Sequence, residues 1–393
     1  MRKIIIILTG ILFYSLSLSS QTNIENIFVE IENNNTSLKV LRSQIDADKI
    51  ANRDNLYPDN PEIGFNYLWG SPAEVNDRLD FQITQSFDFP TSYKIKRDLS
   101  NLKNEQIEYE FVRQKNELIY EARKSLSELN YLNNVEKIIE KRIAHFTLIE
   151  DAYQNKLDKG EATIFDLNKV HIKLVQLRNE LESNRNKRIS ETDKLNQLNG
   201  GIDLNLTEIT LVLPNISDDF ETWFNESATH NPVLNWIGKE IGIKNSEESL
   251  ARSMKLPSFN AGYLSEKVTG EYLQGFTIGL SLPIWQNNLK LDQARAQKLA
   301  VEKLAADQKL NFYLHLKSIH ANITRQEKQL AVFREQTKKL EKRGILFTAM
   351  ELGQINLIEY LMELTIYFDS ADIILQLEKD IQLSKTELLK FGS

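Results

Sequence analysis

No cysteine occurs in the 393 residues, which excludes disulfides, thiol nucleophiles, thiolate metal sites and the lipidated cysteine that anchors exported lipoproteins. Turn formers are scarce, since 15 glycines and 8 prolines are too few for an all-β chain and leave room for long helices. The few histidines, His145, His171, His230, His315 and His320, show no metal-ligand spacing, and the last two fall on different helix faces. Packed or solvated histidines are expected, with no metal and no cofactor. The many acids lack any accompanying nucleophile or phosphate loop, so an enzyme has little support and most acids read as outer faces of coiled coils.

Long hydrophobic runs are also missing, apart from Ile4 to Leu18 behind Met1-Arg2-Lys3. A basic start, a short apolar core and Ser19-Ser20 before Gln21 read as a secretory signal peptide over 1–20, cut near its end. The rival, an uncleaved anchor, falls short of the about 18 apolar residues that a spanning helix needs. Loss of Arg2 and Lys3 leaves 46 basic against 55 acidic residues, a net charge of −9 that disfavours nucleic-acid binding. With no further run of spanning length, any membrane insertion of the mature chain has to use β-strands.

What the chain does contain is the same punctuation twice. Asn35-Thr36-Ser37-Leu38 faces Asn231-Pro232-Val233-Leu234, Tyr57-Pro58 faces Leu256-Pro257, Ser86-Phe87-Asp88-Phe89 faces Ser281-Leu282-Pro283-Ile284, and Gly160 faces Gly353. The separations of 196, 199, 195 and 193 residues argue for two structural repeats, 21–199 and 218–393, joined by a connection over 200–217. Each repeat carries two alternating segments, expected as strands at about 61–70 and 79–90 and at about 257–267 and 272–286. One face is rich in aromatics (Phe65, Tyr67, Phe81, Phe276) and the other small or polar, as a lipid-facing barrel wall requires. A soluble antiparallel sheet is the competing reading.

Glycine- and proline-free sequence then runs to the first glycine turn, predicting a long helix over about 92–159 with a counterpart at 288–352. Leu118, Ala122, Leu126, Leu129, Leu132, Val135, Ile139, Ile143, Phe146 and Ile149 recur at steps of three and four, a coiled-coil-like seam. Shorter returning helices are expected at 164–198 and 357–390, each about half as long. Helices near 24–55 and 220–255, stacked on them, supply the missing length.

This order of elements resembles the TolC family of outer-membrane efflux channels over essentially the whole mature chain. The likeness is carried by Tyr57-Pro58, Gln85-Ser86-Phe87-Asp88-Phe89-Pro90, Leu280-Ser281-Leu282-Pro283-Ile284-Trp285, Lys159-Gly160 and Leu352-Gly353. The two strand-to-helix junctions are most similar to the branch serving heavy-metal and related resistance-nodulation-division pumps, although the lipidated cysteine of many such members is absent. Four strands cannot close a barrel; two copies give a filled eight-strand barrel, and three give twelve strands with an aqueous lumen. The resemblance independently implies a homotrimer: a twelve-strand outer-membrane β-barrel continued by a periplasmic helical barrel, fed by an inner-membrane transporter through a periplasmic adaptor. A periplasmic coiled-coil adaptor or scaffold is the alternative.

Candidate residues follow. Asp166 and Glu359 each sit six positions beyond a turn glycine and three beyond Thr163 and Asn356, the spacing of a capping box. The family resemblance implies that such acids also line the closed periplasmic aperture. It further implies adaptor docking on Lys159, Gly160, Glu161, Ala162, Leu352, Gly353, Gln354 and Ile355, which are otherwise merely exposed turns. Tyr67, Trp69 and Trp285 are expected in an aromatic girdle against outer-membrane lipid.

Overall fold

A computed structural model of the chain describes residues 24–72, 76–206, 213–229, 231–283, 287–339 and 343–392. The leader and Trp285 lie outside the described residues. The elements run in the order α1 (24–34), α2 (Thr36–Ala51), β1 (Glu62–Leu68), β2 (Arg78–Phe87), α3 (Pro90–Asp158) and α4 (Ile164–Leu198). They continue with α5 (Phe220–Ala228), α6 (Pro232–Ser253), β3 (Ser258–Val268), β4 (Glu271–Ser281), α7 (Asn287–Lys339), α8 (Arg343–Glu351) and α9 (Leu357–Gly392). Helix α3, at 69 residues, is about 100 Å long at about 1.5 Å per residue.

Two junctions differ from the sequence expectation for the same physical reason. The second strand stops at Phe87 instead of 90, and Pro90 opens α3; proline has no N–H to give a ladder but suits the first helical position. Likewise β4 ends at Ser281, short of 286, with Pro283 just beyond it.

The chain divides into two compact units, one of which holds residues 39–113 and 230–313. Its four strands form one antiparallel sheet in the order β1-β2-β3-β4. The register lines up Tyr67, Leu79, Lys267 and Tyr272 on one rung and Ile63, Ile83, Tyr263 and Phe276 on another, while Phe87, Phe259 and the Leu280 opposite it lie toward the helices. Because strand side chains alternate between faces, all of these share one apolar face. The other face carries Gly64, Gln82, Thr84, Ser86, Asn260, Gly262, Gly275, Thr277 and Gly279, with Leu68, Leu264, Val268 and Leu273 toward the hairpin ends. Of the six charged strand residues, Glu62, Arg78, Asp80, Glu266 and Glu271 lie on this polar face, where Arg78 reaches Asp80 at 2.7 Å and Glu266 at 3.0 Å. Polar amides lie flat over its glycines: a Cβ on Gly64 would meet the Gln82 side chain at 2.8 Å, and one on Gly279 the Asn260 side chain at 2.2 Å. Below the sheet, Arg42 joins α2 to Glu108 of α3 at 2.9 Å, and Lys298 of α7 meets Glu248 of α6 at 3.1 Å.

The other unit holds the chain up to residue 38 with residues 114–229 and 314–393. Its first core joins Ile24, Ile27, Phe28 and Ile31 of α1 to Ala122, Leu126 and Leu129 of α3 and Leu195 of α4. Asn35 caps α2 by accepting from the Leu38 N–H at 2.9 Å and donates to the Leu198 carbonyl at 2.8 Å. Asn231, 196 residues later, caps α6 in the same way, accepting from Val233 and Leu234. Most of the predicted seam is buried, but Leu118, Val135 and Ile143 are only half-buried. Beside Val135 the buried residue is Glu136, whose carboxylate is bonded by Arg185 at 2.9 Å and by Arg188.

Candidate functional site: two glycine-turned helical hairpins and an apolar sheet face

Each hairpin tip is built by a helix that can only end as it does. At the first, Gly160 takes a left-handed φ of 78°, so the Glu161 N–H reaches the Lys156 carbonyl at 2.8 Å and the Gly160 N–H reaches Leu157 at 2.9 Å. At the second, Gly353 has φ 71°, and the Gln354 and Gly353 amides bond Ala349 and Met350 at 2.8 and 3.1 Å. A returning helix starts three residues on. Thr163 accepts from the Asp166 N–H at 3.3 Å while its own N–H donates to the Asp166 carboxylate at 3.3 Å, a reciprocal box. Asn356 and Glu359 repeat it at 2.9 Å in both directions.

The two acids differ in what remains available. Asp166 also receives the Thr163 hydroxyl at 2.6 Å and Lys169 at 3.1 Å, so both carboxylate oxygens are engaged. The Thr163 hydroxyl and the Lys169 ammonium hold its carboxyl below the usual carboxylate range. Glu359 accepts through Oε2 alone, and its other oxygen has no protein hydrogen bond among the described residues.

Of the predicted docking residues, Lys159, Gly160, Glu161, Leu352, Gly353 and Gln354 are exposed, whereas Ala162 and Ile355 are only partly so. Both are half-buried because each, two residues after its glycine, turns inward onto the core beneath the tip. That core joins Phe146, Ile149 and Tyr153 of α3, Val170, Leu174 and Leu177 of α4, Met350 of α8, and Leu357, Tyr360, Leu364 and Phe368 of α9. Sequence reasoning passed over the apolar residues that ring the tips on the outside, Ile164, Phe165, Ile358 and Met362. Their signal was present as apolar side chains lying off the seam.

Two buried polar links tie α3 to α9 near the tip. His145 Nε2 and the Tyr360 hydroxyl are 2.5 Å apart, and burial pushes the Tyr360 phenol up to about 12. Arg142 makes a two-pronged ion pair with Asp372 at 2.6 and 3.1 Å, donates to the Phe368 carbonyl at 3.1 Å, and stacks 4.4 Å over the Phe368 ring. The Arg142 side chain is 6% exposed and that of Asp372 48%. The other described histidines are packed or paired: His320 bonds the Ser217 carbonyl at 2.7 Å, His171 meets Glu150 at 2.8 Å and His315 meets Glu387 at 3.3 Å, while His230 lies outside the described residues.

In the sheet, Tyr67 and Trp69 are exposed at the hairpin end of β1, and the Tyr67 hydroxyl donates to Asp77 at 2.5 Å. Tyr272, not singled out from the sequence, stands on the same rung as Tyr67 through the register of all four strands. Among the described residues no helix is long and apolar enough to cross a membrane.

No family model matches the sequence and no curated protein matches it significantly. Solved structures do match. CusC, whose structures concern folding and transmembrane channel formation, aligns with 95% of this chain and 92% of its own at TM-score 0.79 and 13% identity. The outer-membrane channel OprN aligns at TM-score 0.78 and 13% identity, covering 95% of this chain and 90% of its own. The Vibrio cholerae outer-membrane protein VceC aligns at TM-score 0.77 and 10% identity, covering 95% of this chain and 96% of its own. The fold is that of the TolC-type outer-membrane channels.

Proposed function

We propose that the chain is one subunit of an outer-membrane efflux channel, a passive duct that does no chemistry. Three copies supply twelve strands, and small molecules or ions leave through the shared lumen, driven by an inner-membrane transporter that engages the channel through a periplasmic adaptor. The observation that carries this reading is the division of the sheet: an apolar face with eight aromatics on β1 to β4 backs onto a face of glycines and amides holding five of six strand charges. A soluble sheet with one buried face needs a covering layer, which lipid replaces here. Open edges at β1 and β4 are forbidden in hydrocarbon, so insertion requires copies to join edge to edge. The expected result is an outer-membrane species that runs as a detergent-resistant trimer until boiled. A soluble monomer after fractionation overturns the proposal.

The two-repeat reading is retained as part of this proposal, supported by the matched caps Asn35 and Asn231 and the matched tips. The exposed tip residues Lys159, Gly160, Glu161, Leu352, Gly353 and Gln354 are the adaptor-docking surface, and Asp166 and Glu359 the aperture acids. Their geometry ranks them. With a free carboxylate oxygen, Glu359 attracts cations more strongly than Asp166, whose charge is already answered by Lys169. In single channels, Glu359→Gln should lower cation over anion permeability and Asp166→Asn should change it less. Unchanged conductance and selectivity in both variants would remove the aperture role while leaving the channel intact.

A further inference from the structure

The apolar face of the sheet is not apolar throughout. On β1 and β2 it stays hydrophobic from Phe87 up to Leu79 and Tyr67, broken only by Gln85, whose amide is bonded to the Asp59 carbonyl at 2.6 Å. On β3 and β4 it changes above the Tyr263–Phe276 rung. The next rung pairs Ser265 with Gln274, and the last pairs Lys267 with Tyr272. The Tyr263 hydroxyl donates to Gln274 at 2.7 Å, and Tyr272 bonds Ser265 and Tyr263, so the hydroxyls and the amide form one connected patch.

Lys267 stands out by placement. It is the single charged strand residue on this face, it is exposed, and the described residues offer it no carboxylate within ion-pair distance. A lysine facing hydrocarbon is costly near mid-membrane and nearly free at the interface, where its ammonium reaches an anion. Lys267 lies one residue from the end of β3, at the hairpin end of the sheet, away from the strand ends that lead into helices. In a channel whose helices lie in the periplasm, that end meets the outer leaflet.

We infer that the outward face of the β3–β4 hairpin binds a phosphorylated glycolipid headgroup of the outer leaflet, with Lys267 on the phosphate and Tyr272, Gln274 and Ser265 against the sugar. A phosphate supplies the anion that the ammonium lacks, and sugar hydroxyls answer a patch of hydroxyls and an amide that acyl chains cannot. The inference rests on the outer-membrane reading above, because only there does this face meet lipid.

The test uses the purified full-length oligomer, diphosphorylated lipid A as probe and native mass spectrometry to count retained copies. Wild type and Lys267→Arg should retain it, Lys267→Gln about fivefold less, as loss of a charge-assisted bond predicts. Lipid A without phosphates should bind all three proteins at the Lys267→Gln level. Equal retention by Lys267→Gln and wild type overturns the inference, as does displacement by phosphatidylglycerol on equal terms. Single-channel conductance separates the two readings: channels that conduct normally but fail these comparisons defeat the glycolipid surface alone, whereas a wild type that forms no membrane oligomer defeats both.

Discussion

Asp372→Ala is expected to destabilise the helical hairpins by about 3 kcal/mol, and Arg142→Leu, at the other end of the same ion pair, by less than about 1 kcal/mol. The asymmetry comes from which partner keeps its water. Asp372 is about half exposed, so without Arg142 it simply rehydrates; Arg142 is 6% exposed, so without Asp372 its charge is held only by the Phe368 carbonyl and ring. Leucine also removes the buried Arg142 Nε, which has no hydrogen-bond partner. Urea titration of the helix signal in the full-length protein measures both. Equal losses would mean that the pair acts as a surface bridge and that the burial is not felt.

Gly262→Val should abolish the detergent-resistant oligomer altogether. A Cβ at Gly262 would lie 2.5 Å from the Ile83 carbonyl oxygen across the β2–β3 pair and 2.9 Å from the Thr277 hydroxyl on the other side. The first of these is backbone and cannot step aside, so β2 and β3 must part, at a cost of about 3 kcal/mol or more with the ladder bonds lost. Those two strands are the join between the two strand pairs of the sheet. Gly275→Ala is the control, because a Cβ there meets nothing within 4 Å. Heat-modifiable gel mobility of both variants reads the result. A stable Gly262→Val oligomer would show that the sheet is more pliable than its register implies.

What could be read from the sequence depended on how far apart the interacting residues are. Thr163 and Asp166 lie three apart, and spacing alone announces their box. The alternation around Phe81 and Ile83 likewise gives the two faces of a strand without knowledge of its neighbours. Arg142 and Asp372 are 230 residues apart, and nothing local marks either as one half of a buried pair. Ala162 and Ile355 are less exposed than a turn suggests because the chain re-enters the core two residues past its glycine. Nothing in the sequence sets Lys267 apart from the other strand charges; the register does, by putting all five of them on the opposite face. Glu136 occupies the seam because Arg185 and Arg188 arrive from a helix that local periodicity does not see.

The bare edges of β1 and β4 set a limit on the time before assembly. A lone copy in water carries two rows of unpaired amides and carbonyls beside a wall of exposed Phe65, Phe276 and Ile278. Such edges pair with any strand they meet, and in the proposed channel the correct partner is another copy of the same chain. In the proposed channel, productive encounter therefore competes with aggregation at a rate that rises with copy number, so closure of the barrel is as much a kinetic destination as a thermodynamic one.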